Sequence, residues 1–168
     1  MWDSRRIFRD LADADRRQTI FNSFWKHADA TSKTMAVTSL SKVMKFRPDS
    51  LKKLPLEKKA EFLSSRASVP EFEQLNEMAL MQYHTHVKSD LLSAFLDEWK
   101  IPHENGTIEN DEYATPSTDQ VRAAATSLAS RFEREDILIY LATAGLLMGE
   151  EWRASTWPVV DEMVAAKK

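Results

Sequence analysis

Glycine is nearly missing from this chain, at three in 168 residues, and that scarcity restricts its fold more than any motif it carries. Sandwiches, barrels and nucleotide-binding βαβ units all place glycine at tight turns and at close backbone approaches. The chain is rich instead in Ala, Leu, Lys, Glu and Met, which favour helix. An all-α, single-domain helical bundle over residues 1–168 is therefore expected. A chain of this length buries roughly 68–70% of its unfolded surface, enough for a core without disulfide or metal staples.

Cysteine is absent, which removes disulfides, thiolate metal sites and cysteine nucleophiles. The opening residues, Met1-Trp2-Asp3-Ser4-Arg5-Arg6, lack the apolar stretch of a signal peptide. The longest apolar run, Ile137–Met148, has 12 residues, against roughly 18–20 for a bilayer span. No membrane attachment and a cytoplasmic location are the resulting expectations. A net charge of −3 creates no global field toward nucleic acid or membrane.

Apolar spacing predicts about seven or eight helices. Ser4 is placed to cap a short first helix with Ile7, Phe8 and Leu11 inward. Ile20, Phe21, Phe24, Trp25 and Ala28 recur at helical spacing in a second. Thr31 or Ser32 starts a third, over Ala36, Leu40, Val43 and Met44, which Pro48 stops at Arg47. Pro55 opens a fourth, over Ala60, Phe62 and Leu63. Ser68-Val69-Pro70-Glu71 has capping-box spacing and opens a long central helix over about 69–100, closed by Pro102. Unbroken, that helix is about 45 Å long. Ser117-Thr118-Asp119-Gln120 repeats the capping signature before Val121, Ala124, Ala125, Leu128 and Phe132. A buried apolar helix follows over about 136–149, ended by Gly149. Thr156-Trp157-Pro158 starts the last helix, with Val159, Val160, Met163 and Val164 inward.

The long helix carries one narrow polar stripe: Gln82, His86, Ser89, Asp90, Ser93, Asp97 and Lys100. At 100° per residue these fall within about a third of the circumference. His86 and Asp90 stand four apart, so a carboxylate can hold the imidazole. This makes His86, Asp90, Asp97 and Tyr83 the candidate catalytic residues, with His86 as base and Asp90 orienting it. Against that stand the simpler expectation of a wet helix face and that of a buried polar network fixing how the helices dock. His84 and His86 project about 200° apart and cannot chelate one metal. Neither completes a helical metal motif, so no metal and no cofactor is expected.

Asn105 and Gly106 are a preferred centre for a type I′ turn and predict a small hairpin within residues 101–110. Asn105, Gly106, Ile108, Glu109 and Glu112 match five positions of a calcium-binding loop. Its first and third ligand positions hold Ile101 and His103, which argues against calcium. Asp97–Glu112 carries a local −5, and Lys42–Arg66 a local +5. That basic segment lacks glycine and shows little aromatic character for base stacking.

No phosphate-binding glycine loop, dinucleotide fingerprint, nucleophile elbow or kinase motif is present. The leading expectation is a protein–protein interaction domain without catalytic activity, with a second copy of the chain among its partners. Trp2, Trp152 and Trp157 are placed to extend an apolar contact surface. An alternative is a small-molecule-binding or enzymatic bundle using His86, Asp90 and Asp97. A second alternative is binding of nucleic acid or an acidic partner through residues 42–66, with nucleic acid the less favoured.

Overall fold

Aspartate sets the start of both early full-length helices. Asp13 accepts the Arg16 backbone N–H at 2.8 Å and opens α2 (Ala14–His27). Asp29 accepts the Ser32 N–H at 2.7 Å and opens α3 (Ala30–Met44), so this helix begins before Thr31 and Ser32. A carboxylate satisfies an otherwise orphaned amide and also complements the positive end of the helix dipole. In the computed structural model, which describes residues 1–167, the chain is all-α apart from one two-stranded hairpin.

The helices are more numerous than apolar spacing indicates, because several are short or divided. Ser4 does not cap α1 (Ser4–Arg6). It is the first helical residue, fully buried, and its hydroxyl donates to the Glu73 carbonyl at 3.3 Å. One π-helical turn follows over Ile7–Leu11. Pro48 stands at the first position of α4 (Pro48–Lys52), and Pro55 lies just outside α5 (Leu56–Ser64). The capping box at Ser68–Glu71 does not form. Val69, preceding a proline, is extended, and Pro70–Phe72 make a 3₁₀ turn, so α6 (Glu73–His86) starts later.

The long central helix is not continuous. It stops at His86 and resumes as α7 (Ser89–Glu98), with Lys88 out of helical geometry at φ −112°, ψ 31°. Two side-chain contacts accompany the break. The Lys88 ammonium is held by Asp136 at 2.8 Å, and the Asp90 carboxylate takes the adjacent Leu91 N–H at 2.8 Å. The chain also divides here into two compact units. One is Ser4–Val87; the other runs from Lys88 onward and includes Met1–Asp3.

In the N-terminal unit, α2 packs on α5 and α6. Its core includes Ile20, Phe21, Phe24, Ala60, Leu63, Leu75, Ala79 and Leu80, with Phe8 stacked on Phe21 at 5.0 Å.

In the C-terminal unit, Ile101 is buried and the hairpin forms as expected. His103–Glu104 pairs with Thr107–Ile108, with Asn105 at φ 50° and Gly106 at φ 89°. The second capping box also forms. Ser117 Oγ accepts the Gln120 N–H and Gln120 returns the contact, opening α8 (Thr118–Leu128). The apolar α9 (Arg134–Leu147) has every residue from Asp136 to Gly145 buried. It packs on α10 (Glu150–Ala165), which starts after Gly149 (φ 106°) rather than at Thr156. Pro158 therefore lies inside α10. Its missing N–H frees only the Ala154 carbonyl, and both residues face solvent.

Gly145 lets α9 and α10 approach closely. A Cβ there would clash with the Trp157 ring and stand 2.6 Å from Thr156 Oγ1. Trp157 Nε1 donates to the Ala142 carbonyl at 3.1 Å. Around this contact, Phe95, Trp99, Tyr140 and Trp152 form one aromatic cluster. Burial raises the Tyr140 phenol well above its ordinary value. Trp2 and Trp152 are buried and Trp157 half-buried, so these rings build core instead of an outer contact surface. No helix among the described residues is long and apolar enough to cross a membrane.

Candidate functional site

The break after His86 removes the geometric basis of the polar stripe. The four-residue spacing of His86 and Asp90 places them on one face only if the helix between them is unbroken. Asp90 is exposed and folds back on the Leu91 amide. Asp97, on α7, serves the hairpin instead, accepting from His103 Nε2 at 2.7 Å. The Gly106 N–H donates to His103 Nδ1 at 3.0 Å, so this imidazole carries its proton on Nε2 and ties the turn to α7. Tyr83 is a core residue at 2% exposure, with its ring edge-on to His84. His84 is also buried, and its Nδ1–H donates to the Leu80 carbonyl at 2.9 Å.

His86 instead meets His27 from the end of α2. The two imidazoles lie parallel, 4.1 Å between centroids and 6° between planes. They border an open cleft of about 530 Å³ lined by Thr19, Asn22, Ser23, Lys26, His27, Leu56, His86 and Val87. Thr19, Ser23 and His27 share one face of α2 through their four-residue spacing. His27 is held below the ordinary histidine value, first by desolvation and then by the charges of His86, Lys26 and Lys33. Ring lone pairs lie in the ring plane, so two stacked imidazoles do not converge on a single metal ion.

The other exposed feature of this unit is the surface made by the end of α3, α4 and the start of α5. Lys45 takes the left-handed conformation (φ 56°) that ends α3. The Ser41 hydroxyl donates to the Phe46 carbonyl and fixes the turn. Phe46 is thereby presented to solvent at 47% exposure, beside Val43 at 43%. Its ring lies 6.3 Å from Phe62, over which Lys58 Nζ stands at 5.4 Å. Lys42, Lys45 and Arg47 flank it in sequence, and Lys52 and Lys53 lie at the end of α4, which packs on α3; all are exposed, and none makes an ion pair among the described residues. The basic run is visible in sequence. The exposure of Phe46 is not.

Comparison with known proteins finds no matching family model and no significant similarity to a curated protein or a solved structure.

Proposed function

We propose that the chain is a non-catalytic binding domain that captures an acidic protein segment carrying an apolar anchor. The docking surface is Val43, Phe46 and Phe62 with Lys42, Lys45, Arg47, Lys52 and Lys53. The carrying observation is five exposed cations, without ion-pair partners among the described residues, on the α3–α4 segment that also presents a half-exposed phenylalanine. A partner's leucine or phenylalanine would cover Phe46, and its carboxylates would meet the cations that no described residue neutralises. Aromatic anchors inside a charged rim are the usual division of labour at interfaces: the anchor supplies affinity, the rim supplies encounter rate and selectivity. A single half-exposed ring is a poor platform for successive bases, which favours protein over single-stranded nucleic acid.

Fluorescence anisotropy with a labelled peptide of alternating acidic residues, Leu and Phe tests this on the full chain. Binding is expected to weaken steeply with salt, since exposed charges are screened beyond about 8 Å at physiological ionic strength. Lys45→Glu combined with Lys52→Glu should lower affinity at least tenfold, about 1.4 kcal/mol. Phe46→Ala should do the same while shifting fold stability by no more than about 0.5 kcal/mol. Absence of peptide binding, or tighter binding of single-stranded RNA, would refute the proposal.

A further inference from the structure

The cleft beside the paired histidines holds an unusual excess of hydrogen-bond donors. Ser23 is 4% exposed, lines the cleft, and its hydroxyl has no hydrogen-bond partner. A buried serine hydroxyl on a helix commonly donates back to the carbonyl one turn earlier, and Thr19 does so here, to Asp15 at 3.0 Å. Ser23 is left with its bonding capacity unused. The Asn22 carbonyl oxygen accepts from Gln18 Nε2 at 3.1 Å, which fixes the amide and leaves its NH₂ as the free end. Lys26 lies on the rim, exposed and without an ion-pair partner among the described residues. Among the described residues, no aspartate or glutamate lines the cleft.

We infer that this cleft binds the oxyanion group, carboxylate or phosphate, of a small molecule, with Ser23, Asn22, Lys26 and His27 as donors. Leu56 and Val87 supply an apolar wall for the remainder of such a ligand. The chemistry follows from the lining: hydroxyl, amide NH₂, ammonium and imidazole N–H groups together satisfy an acceptor-rich anion and offer little to a cation. The charges acting on His27 agree. His86, Lys26 and Lys33 all disfavour its protonated form, and an anion in the cleft would offset them. The site is separate from the α3–α5 docking surface and stands or falls independently of it.

NMR titration of the full chain with sodium phosphate and, separately, sodium acetate provides the test, with sodium chloride at matched ionic strength as control. Saturable shifts of the His27 and His86 ring protons and the Ser23 amide are expected with at least one oxyanion in the millimolar range. The stronger of the two identifies the group as phosphate or carboxylate. His27→Gln and the exposed substitution Lys26→Met should each weaken binding severalfold, with circular dichroism unchanged. Lack of saturation with either anion, an equal response to chloride, or undiminished shifts in both variants would each overturn the assignment.

Discussion

The two compact units use their charges in opposite ways. The N-terminal unit holds fifteen Lys and Arg against ten Asp and Glu, a formal +5. The C-terminal unit with Met1–Asp3 holds eight against sixteen, a formal −8. Although acidic overall, the C-terminal unit engages several of its cations. Arg122 sits between Asp119 at 2.6 Å and Glu162 at 2.8 Å, and Lys167 meets Glu135 at 3.3 Å. The Arg122 hydrogen bonds hold Glu162 below the usual carboxylate value. Solvent screens exposed pairs of this kind, so their effect is to neutralise surface rather than to stabilise the fold. The N-terminal unit pairs some charges, as in Arg5–Glu73 and Arg16–Asp13, yet Lys42, Lys45, Arg47, Lys52 and Lys53 have no ion-pair partner among the described residues. It also contains the histidine cleft. One unit pairs several of its cations; the other leaves a group of exposed cations without ion-pair partners among the described residues.

The sharpest way to break this contrast is to damage the scaffold. Trp152→Ala removes a ring from the aromatic cluster and should cost about 4 kcal/mol, read by chemical denaturation. Hydrogen exchange on the same variant shows how far the damage travels. If the chain unfolds as the single cooperative domain expected from its length, amides in α2 and α6 lose protection along with those in α9 and α10. Loss confined to α7–α10 would make the two units separate folding units.

Gly145→Ala should cost about 2 kcal/mol by overpacking the α9–α10 contact, where the added methyl meets the Trp157 ring and Thr156. A neutral result would show that Trp157 can move aside, and that the scaffold is less tightly determined than its burial indicates.

The smallest effect concerns the N-terminal unit. His27 has a lowered value in the folded chain, so the unfolded state binds its proton more readily. Stability from this group is present above its ordinary value of 6.5 and declines as pH falls from there toward the folded value. Thermal unfolding should thus give a lower midpoint at mildly acidic pH than at neutral pH. The difference should shrink in His27→Gln. Carboxylates with lowered values, such as Asp13 and Glu162, lose their contribution only further into acid. An unchanged pH difference in the variant would remove His27 from the account.

Much of the secondary structure was legible because its causes are local. Apolar periodicity marks α2, α8 and α9, Asn105-Gly106 sets the hairpin, and Ser117 with Gln120 makes a capping box from its own side chains. Misread starts were also local, but involved competing signals: Asp29 outranked Thr31 and Ser32, and Pro70 diverted the Ser68 box into a 3₁₀ turn.

What the sequence determined alone was therefore the helical class, the hairpin, the lack of cysteine chemistry and the placement of the basic run. Tertiary structure decided the rest, because the forces involved join residues far apart in the chain. Apolar spacing continues through Val87 and Lys88 without proline or glycine, and the helix breaks where Lys88 reaches an aspartate 48 residues away. His86 was singled out by its spacing from Asp90, yet its ring stacks on His27 from a different helix. Its neighbour was set by packing, which no window along one helix contains.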